Sequence, residues 1–171
     1  MYSTLPFKKM LAIFAVAAVC LGIAWAGWLA QADKNAPDEG FMTITGQPIA
    51  LKELRGKPVL VVFWATDCPS CLKEIPDLRA LYQRYHALGL EIIAVAMAYN
   101  PPSEVVAVSR AMQLPYPVAL DLNSAHAKAF GDVQLTPSTF LINPKGMIEK
   151  KITGLFDKGE MQAAIEQFLK E

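Results

Sequence analysis

Two cysteines separated by two residues, Cys68 and Cys71, are the side chains whose type and spacing best fit a chemical reaction. A thiolate can attack a disulfide, and a second thiol nearby can then attack the mixed disulfide and release it. At a helix N-terminus, residues three apart share one face, and Pro69 suits the first helical position because its missing N–H needs no partner there. The free N–H groups and the helix dipole would stabilise a Cys68 thiolate. The pair therefore predicts disulfide exchange, in which Cys68 attacks and the less exposed Cys71 resolves.

The same spacing also occurs in inert disulfides and in zinc sites. A structural zinc site needs four ligands, and the other candidate ligands, His86 and His126, lie far along the chain and are interpreted as ordinary polar residues. The third cysteine, Cys20, lies in an apolar stretch, so no multi-disulfide scaffold can form. Exchange is favoured over metal binding, and we expect no cofactor other than the redox-active Cys68–Cys71 disulfide.

Secondary structure on both sides of the pair is expected to position it. Residues 59–64 are a continuous apolar, β-branched run typical of a strand buried on both faces. Residues 69–85 repeat apolar side chains every three to four positions and predict a helix bent by Pro76. Strands that alternate with helices and end in a hairpin plus a helix indicate an α/β sandwich with a mixed sheet. The other predicted elements are strands over 41–45, 48–51, 90–98, 138–143 and 147–153, a short strand or extended piece over 116–120, a helical turn over 51–55, and helices over 103–112, 124–130 and 158–169.

Length and charge limit the class of protein. The 171 residues contain 16 basic and 16 acidic side chains, a balance that excludes strong electrostatic attraction to nucleic acid. The part after residue 32 holds all 16 acidic and 14 of the basic side chains and has a net charge near −2. This part is long enough to bury a core. We therefore expect one domain and no nucleic-acid partner.

The segment before that domain has the features of a membrane anchor. Residues 10–30 contain no charged side chain and would form a helix of roughly 31 Å, which matches a hydrocarbon core about 30 Å thick. Lys8 and Lys9 precede the segment, so the positive-inside tendency predicts a cytoplasmic N-terminus over 1–9. Residues 31–40 are predicted to be a linker between the membrane and the domain, and residues 41–171 are predicted to form the domain. The prediction is a single-pass protein of the bacterial inner membrane with its domain in the periplasm.

Two alternatives to an anchor remain open. Ala30-Gln31-Ala32 has the form of a signal-peptide cleavage site, which would give a secreted protein after cleavage following Ala32. A lipoprotein attached at Cys20 is less well supported, because the residues before it do not match the usual pattern. In either main case the domain lies outside the cytoplasm, where thiols meet oxidising conditions.

Further motifs accompany the cysteine pair in a fixed order. They are Gly46-Gln47-Pro48-Ile49-Ala50-Leu51, Leu54-Arg55-Gly56-Lys57-Pro58, Phe63-Trp64-Ala65-Thr66, Glu74-x-Pro76, and Leu135-Thr136-Pro137-Ser138-Thr139-Phe140-Leu141-Ile142-Asn143 followed by Gly146. With these motifs, most of residues 43–169 resembles the thioredoxin fold, and specifically the TlpA/ResA-like membrane-anchored thiol-disulfide oxidoreductases of bacteria. The spacing of the cysteines alone is moderate support, whereas all the motifs in this order are highly specific.

The resemblance implies substrate-binding residues and partners. It implies a cis Thr136–Pro137 bond that faces the cysteines, with the Thr136 backbone presented to an extended client segment. A proline that merely precedes the next strand remains the alternative for Pro137. Trp64 either shields the site or packs beneath it. The implied partners are disulfide-containing client proteins, such as apocytochrome c or oxidases with copper-site cysteines, and a membrane thiol donor that supplies electrons.

The sequence departs from the family at positions that matter for proton transfer. The residue before the first cysteine is often Trp in such proteins and is Asp67 here, which would raise the pKa of Cys68 or change the docking of partners. Thioredoxins place a buried acid where this chain has Val62, and ResA-like proteins place a glutamate where it has Tyr99-Asn100. Glu74 equally fits a charge on the helix surface. The sequence therefore assigns no proton acceptor.

Two other functions remain as alternatives. A thiol peroxidase of the related redoxin group would have threonine three residues before its reactive cysteine, where this chain has Ala65, with Thr66 one position later. A copper-carrying module of the same fold would have three residues between its cysteines and a distant histidine ligand such as His126. The direction of exchange depends on the reduction potential, which Pro69-Ser70 does not determine.

Overall fold

The computed structural model describes residues 17, 19–22 and 34–170, and residues 17 and 19–22 are helical. The predicted cytoplasmic segment 1–9, the predicted cleavage site and most of the predicted anchor 10–30 lie outside these residues. Across the described part of the chain, no helix is both long enough and apolar enough to span a bilayer. The features below belong to the compact unit Ala36–Glu171.

A five-stranded mixed sheet forms the centre of this unit. Its strand order is β5-β4-β3-β6-β7, in which β3, β4 and β5 are parallel and β6 and β7 are antiparallel to their neighbours. The arrangement confirms the predicted α/β sandwich with a mixed sheet. In chain order, the elements are β1 (Gly40–Met42), β2 (Pro48–Ala50), a 3₁₀ turn (Leu51–Leu54), β3 (Val59–Trp64), α1 (Pro69–Tyr85), a 3₁₀ turn (His86–Leu88), β4 (Glu91–Ala96), α2 (Pro102–Ala111), β5 (Val118–Leu120), α3 (Ala125–Ala129), β6 (Ser138–Ile142), β7 (Ile148–Thr153) and α4 (Lys158–Phe168).

The predicted strand over 59–64 and the predicted helix over 69–85 have the bounds that the structure shows. The first strand was predicted to reach residue 45 but ends at Met42, because the chain turns there: Gly46 N–H donates to Thr43 O at 2.9 Å. Gly46 has a φ of +79°, which suits glycine. Within residues 116–120, where the sequence predicts a short strand or an extended piece, the strand comprises Val118–Leu120, since Pro117 has no N–H to donate to a ladder.

Strand β3 is buried on both of its faces. Leu60, Val62 and Trp64 join one apolar core with residues of α1, α2 and α4, whereas Phe63 joins a second core beneath α3. The ring of Phe63 meets Phe130 edge-on at 5.4 Å between centroids. Packing on both sides explains the continuous apolar run and holds the strand that leads to the cysteines in a fixed position.

The packed unit begins inside the predicted linker. Ala36 is buried, and its N–H donates to Gly146 O at 3.0 Å. Glu39 pairs with His126 Nδ1 at 2.5 Å, and the His126 ring lies 4.7 Å from that of Phe41. His126 therefore attaches α3 to the start of the domain.

Candidate active site

Cys68 and Cys71 form a disulfide at the N-terminus of α1. Cys68 is the N-cap, with extended backbone (φ −97°, ψ 104°), and Pro69 follows within the first turn. The Cys71 N–H donates to Cys68 Sγ at 3.1 Å. This N–H lies in the first turn, where backbone N–H groups have no carbonyl acceptor within the helix, so Cys68 Sγ accepts the hydrogen bond instead. The structure therefore represents the oxidised state, with the first sulfur at the positive end of the helix.

The two sulfurs differ in exposure. Cys68 is partly buried at the edge of a core, whereas Cys71 is 3% exposed within it. Cys71 lies one turn into α1, so the helix backbone and the strands beneath cover it. A partner molecule can reach Cys68 more readily than Cys71. The sequence predicts the same order of exposure.

The Thr136–Pro137 segment lies opposite the cysteines. The bond is cis, as the resemblance implies, and Cys68 Sγ lies 3.6 Å from the carbonyl oxygen of Thr136. The antiparallel pairing of β3 with β6 sets Ser138 opposite Phe63, so the start of β6 and the end of β3 meet at the same edge of the sheet. Pro137 is buried, while Thr136 is partly exposed beside Cys68 Sγ.

Trp64 packs beneath the pair. Its side chain is 4% exposed, and its indole Nε1 has no hydrogen-bond partner. Trp64 lines a small internal cavity of about 10 Å³ together with Cys71, which is room for about one water molecule. Of the two roles considered for Trp64, this burial favours packing over contact with a client.

Glu74 is buried at the same cavity, although the sequence suggested a surface charge equally well. Its side chain is 3% exposed; Oε1 accepts the Phe156 N–H at 3.2 Å, and Oε2 has no partner. Burial raises the pKa of Glu74 from 4.5 to about 7; the Phe156 hydrogen bond opposes this shift, and the Asp77 charge adds to it. Glu74 can therefore hold or release a proton near neutral pH within the cavity that Cys71 also lines.

One signal in the sequence could have identified Glu74. The buried side of α1 includes Cys71, Ile75, Leu78 and Leu81, and position 74 falls within that apolar stripe at helical spacing. A carboxylate inside an apolar stripe is less often a solvated charge than one on the opposite face. The sequence indicated the position, but not the backbone N–H that binds the carboxylate.

The departures from the family pattern lie in strand β3 and in the loops that follow β3 and β4. Asp67 is exposed, and Val62 lines the cavity beside Glu74. Tyr99 is 59% exposed, but Asn100 is 6% exposed and binds the loop that precedes Cys68. No prediction was made for Asn100.

The histidines considered as metal ligands do not join the cysteines. His86 is exposed at the end of α1 and stacks on Tyr82, and His126 pairs with Glu39. Within residues 17, 19–22 and 34–170, no cluster of three or more His, Cys, Asp or Glu side chains is arranged to hold a metal ion. The site geometry that remains is that of a dithiol.

A cysteine pair at the start of the helix after the central strand, facing a cis-proline, defines the class: thioredoxin-fold proteins that exchange disulfides. The Redoxin family matches residues 31–169, so this chain belongs to the Redoxin family. The thiol-disulfide oxidoreductase ResA of Halalkalibacterium halodurans is 34% identical over 169 residues, covering 95% of this chain and 93% of that protein. ResA of Bacillus subtilis is 37% identical over 123 residues, covering 70% and 66%.

A solved structure shows the same fold. The thiol:disulfide interchange protein of Chlorobium tepidum, from the thioredoxin family, superposes with a TM-score of 0.73 at 26% identity and covers 80% of this chain and 96% of its own. The predicted resemblance to ResA-like oxidoreductases and the thioredoxin-like fold are confirmed. The chain is a thiol-disulfide oxidoreductase.

Proposed function

We propose that this chain reduces disulfides in client proteins outside the cytoplasm, with Cys68 as the attacking thiol and Cys71 as the resolving thiol. The observation that carries the proposal is the unequal exposure of the two sulfurs at the start of α1. A dithiol with one reachable and one covered sulfur can form a mixed disulfide and then release it without a second protein.

In the first step, the Cys68 thiolate attacks one sulfur of the client disulfide. The Cys71 N–H, which lies 3.1 Å from Cys68 Sγ, and the positive helix end stabilise the thiolate. The client docks as an extended segment beside Thr136, whose carbonyl oxygen is 3.6 Å from that sulfur. A new bond joins Cys68 to the client, and the other client sulfur leaves as a thiolate.

In the second step, Cys71 attacks Cys68 and frees the client. The thiol of Cys71 must lose its proton to attack, and the Glu74 carboxylate in the shared cavity accepts it. Two electrons pass from the dithiol to the client disulfide, the Cys68–Cys71 disulfide forms again, and the client leaves as a dithiol. A membrane thiol donor then reduces the pair for the next cycle.

The location and the clients in this proposal rest on the sequence. The charge-free stretch 10–30, preceded by Lys8 and Lys9, supports a single span with the domain in the periplasm. A secreted form cleaved after Ala32 is the alternative. Apocytochrome c and copper-site cysteines are the client classes that the ResA-like resemblance favours.

The two alternative functions have less support from the site. A peroxidase needs a free hydroxyl at the reactive sulfur, whereas Thr66 Oγ1 donates to Glu104 Oε2 at 3.3 Å and accepts from Asn100. A copper carrier would need His126 beside the cysteines, but its ring packs against Phe41 of the other core.

Capture of clients tests the proposal. In cells that produce the Cys71→Ser full-length chain, we expect mixed disulfides through Cys68, because the step that releases the client is blocked. Non-reducing gels and mass spectrometry of the adducts measure this. A Cys68→Ser/Cys71→Ser chain is the control and should capture nothing. If Cys71→Ser captures no more protein than this control, the chain does not act by exchange.

A redox titration tests the direction. We expect the Cys68–Cys71 pair to have a reduction potential closer to that of thioredoxin, about −270 mV, than to that of a strong oxidant, about −120 mV. Equilibration with glutathione buffers, followed by quantification of the dithiol, measures the potential. A value near that of the strong oxidant would contradict reduction and assign the chain to disulfide formation.

A further inference from the structure

The side chain of Asn100 fastens the loop that carries Cys68. Residues 65–68 connect β3 to α1, and Asn100 follows β4 on the neighbouring strand. Asn100 Oδ1 accepts the Thr66 N–H at 3.3 Å, and Asn100 Nδ2 donates to Thr66 Oγ1 at 3.2 Å. One buried amide thus binds both the backbone and the side chain of a residue two positions before Cys68.

Asn100 is itself held by the sheet. Its N–H donates to Met97 O at 3.0 Å, and the Met97 N–H donates to Trp64 O at 3.0 Å. The Met97–Trp64 bond extends the parallel pairing of β3 with β4, in which Trp64 lies opposite Ala96, and the Asn100–Met97 bond closes a turn directly after it. Asn100 is 6% exposed, so its bonds to Thr66 compete little with water. The amide therefore connects the 65–68 loop to a rigid part of the fold.

The position of the 65–68 loop determines where the first sulfur lies. The loop turns tightly, with the Cys68 N–H donating to Ala65 O at 3.3 Å, and α1 begins at the next residue. Cys68 Sγ must stay close to the Cys71 N–H and to Thr136 O, at the 3.1 and 3.6 Å that the structure shows. The stabilisation that a helix N-terminus provides is confined to its first turn. A small shift of the loop would therefore change how strongly the Cys68 thiolate is stabilised.

We propose that Asn100 is a positioning residue for disulfide exchange: through Thr66, it keeps the Cys68 sulfur at the N-terminus of α1 and opposite Thr136. This inference rests on the proposed function, in which Cys68 is the attacking thiol. Asn100 acts through Thr66 and not by contact with the reacting sulfurs. As a neutral amide, Asn100 holds the loop without adding a charge of its own near Cys68.

Ionisation of Cys68 tests the proposal, using the reduced full-length chain. The rate of Cys68 alkylation by iodoacetamide is followed against pH by peptide mass spectrometry, which separates Cys68 from the other cysteines. In Asn100→Ala, we expect the midpoint of the curve of alkylation rate against pH to move to higher pH. The rate at neutral pH should fall about threefold to tenfold, which corresponds to the net effect of one hydrogen bond. Thr66→Val removes the hydroxyl, and with it the bonds to Asn100 Nδ2 and Glu104 Oε2, and should shift the midpoint in the same direction. Thr66→Ser keeps the hydroxyl and should retain the wild-type midpoint.

Asn143→Ala is the matched control. Asn143 is 7% exposed, and its Oδ1 accepts the Met147 N–H at 3.0 Å in the turn after β6, at the opposite end of the sheet from Cys68. Its loss should lower stability and leave the Cys68 midpoint unchanged. The proposal is wrong if folded Asn100→Ala and Thr66→Val keep the wild-type midpoint, or if Asn143→Ala shifts it equally. If Asn100→Ala does not fold, the comparison of Thr66→Val with Thr66→Ser tests the proposal.

These results are separable from a failure of the proposed function. Alkylation needs no client, so it reports the position of the Cys68 sulfur even if the wild-type chain reduces no disulfide. If wild type captures clients and the variants ionise as wild type does, only the role of Asn100 is wrong. If the Cys68 midpoint shifts in the variants but wild type captures no client, the proposed function is wrong and the positioning by Asn100 stands.

Discussion

Cys68→Ser is expected to lose at least about a thousandfold in the rate of disulfide reduction, comparable with removal of a nucleophile in other enzymes. A serine hydroxyl does not ionise at neutral pH, and the helix N-terminus cannot compensate. Cys71 cannot replace it, since it is 3% exposed and a client disulfide cannot reach it. The rate with a model peptide disulfide, followed by chromatography, measures the loss.

Cys71→Ser is the companion variant, and it separates the two steps. It should complete a first attack at close to the wild-type rate and then remain joined to the peptide through Cys68. One equivalent of peptide disulfide is therefore consumed without turnover. A Cys68→Ser chain that keeps a tenth of wild-type activity would show that the assignment of the two thiols is wrong.

Glu74→Gln is expected to have the second largest effect, a slowing of the resolving step by about a hundredfold, as for loss of a general base. Glutamine keeps the oxygen that accepts the Phe156 N–H, but it cannot take the Cys71 proton. Quenched-flow measurement of the mixed disulfide should show that it accumulates, and the inflection near pH 7 in the resolving rate should disappear. Asp77→Asn is the control on the same helix, because Asp77 pairs with Lys158 at 2.7 Å and lies outside the cavity. Since the Asp77 charge adds to the raised pKa of Glu74, this variant should move the inflection to lower pH without abolishing it. Equal slowing in both variants would exclude proton transfer by Glu74.

The same variant increases stability by an amount that depends on pH. The pKa of Glu74 is raised from 4.5 to about 7 on folding, so the folded oxidised chain binds this proton more tightly than the unfolded chain. The contribution of Glu74 to the free energy of unfolding therefore falls as pH rises from about 4.5 to about 7 and is constant above that range. Glu74→Gln should remove this dependence and be more stable than wild type at pH 8 by about 3 kcal/mol. Urea unfolding across pH 5 to 8 measures it, and an unchanged slope in the variant would contradict the burial of a charged carboxylate.

Features close to the cysteines in sequence could be predicted. The continuous apolar run of β3 and the periodic pattern of α1 determined both elements to the residue, and these two elements alone place Cys68 and Cys71. The cis Thr136–Pro137 bond was predicted only through the resemblance, because the residues around Pro137 do not by themselves distinguish cis from trans.

Features that depend on distant segments could not be predicted. The carboxylate of Glu74 is bound by the N–H of Phe156, 82 residues away, and Asn100 meets Thr66 only because β3 and β4 end at the same level. His126 pairs with Glu39 across 87 residues. Each of these contacts is set by tertiary packing, for which local periodicity carries no information.

The burial of Trp64 against the cysteine pair has a practical consequence. Trp25 and Trp28 precede residue 32, so Trp64 is the sole tryptophan from there to the C-terminus. An excited indole transfers an electron readily to a nearby cystine, so fluorescence from this ring should be dim in the oxidised chain and bright in the reduced one. We therefore expect the fluorescence of a fragment that starts after residue 32 to report the redox state of the Cys68–Cys71 pair without a dye.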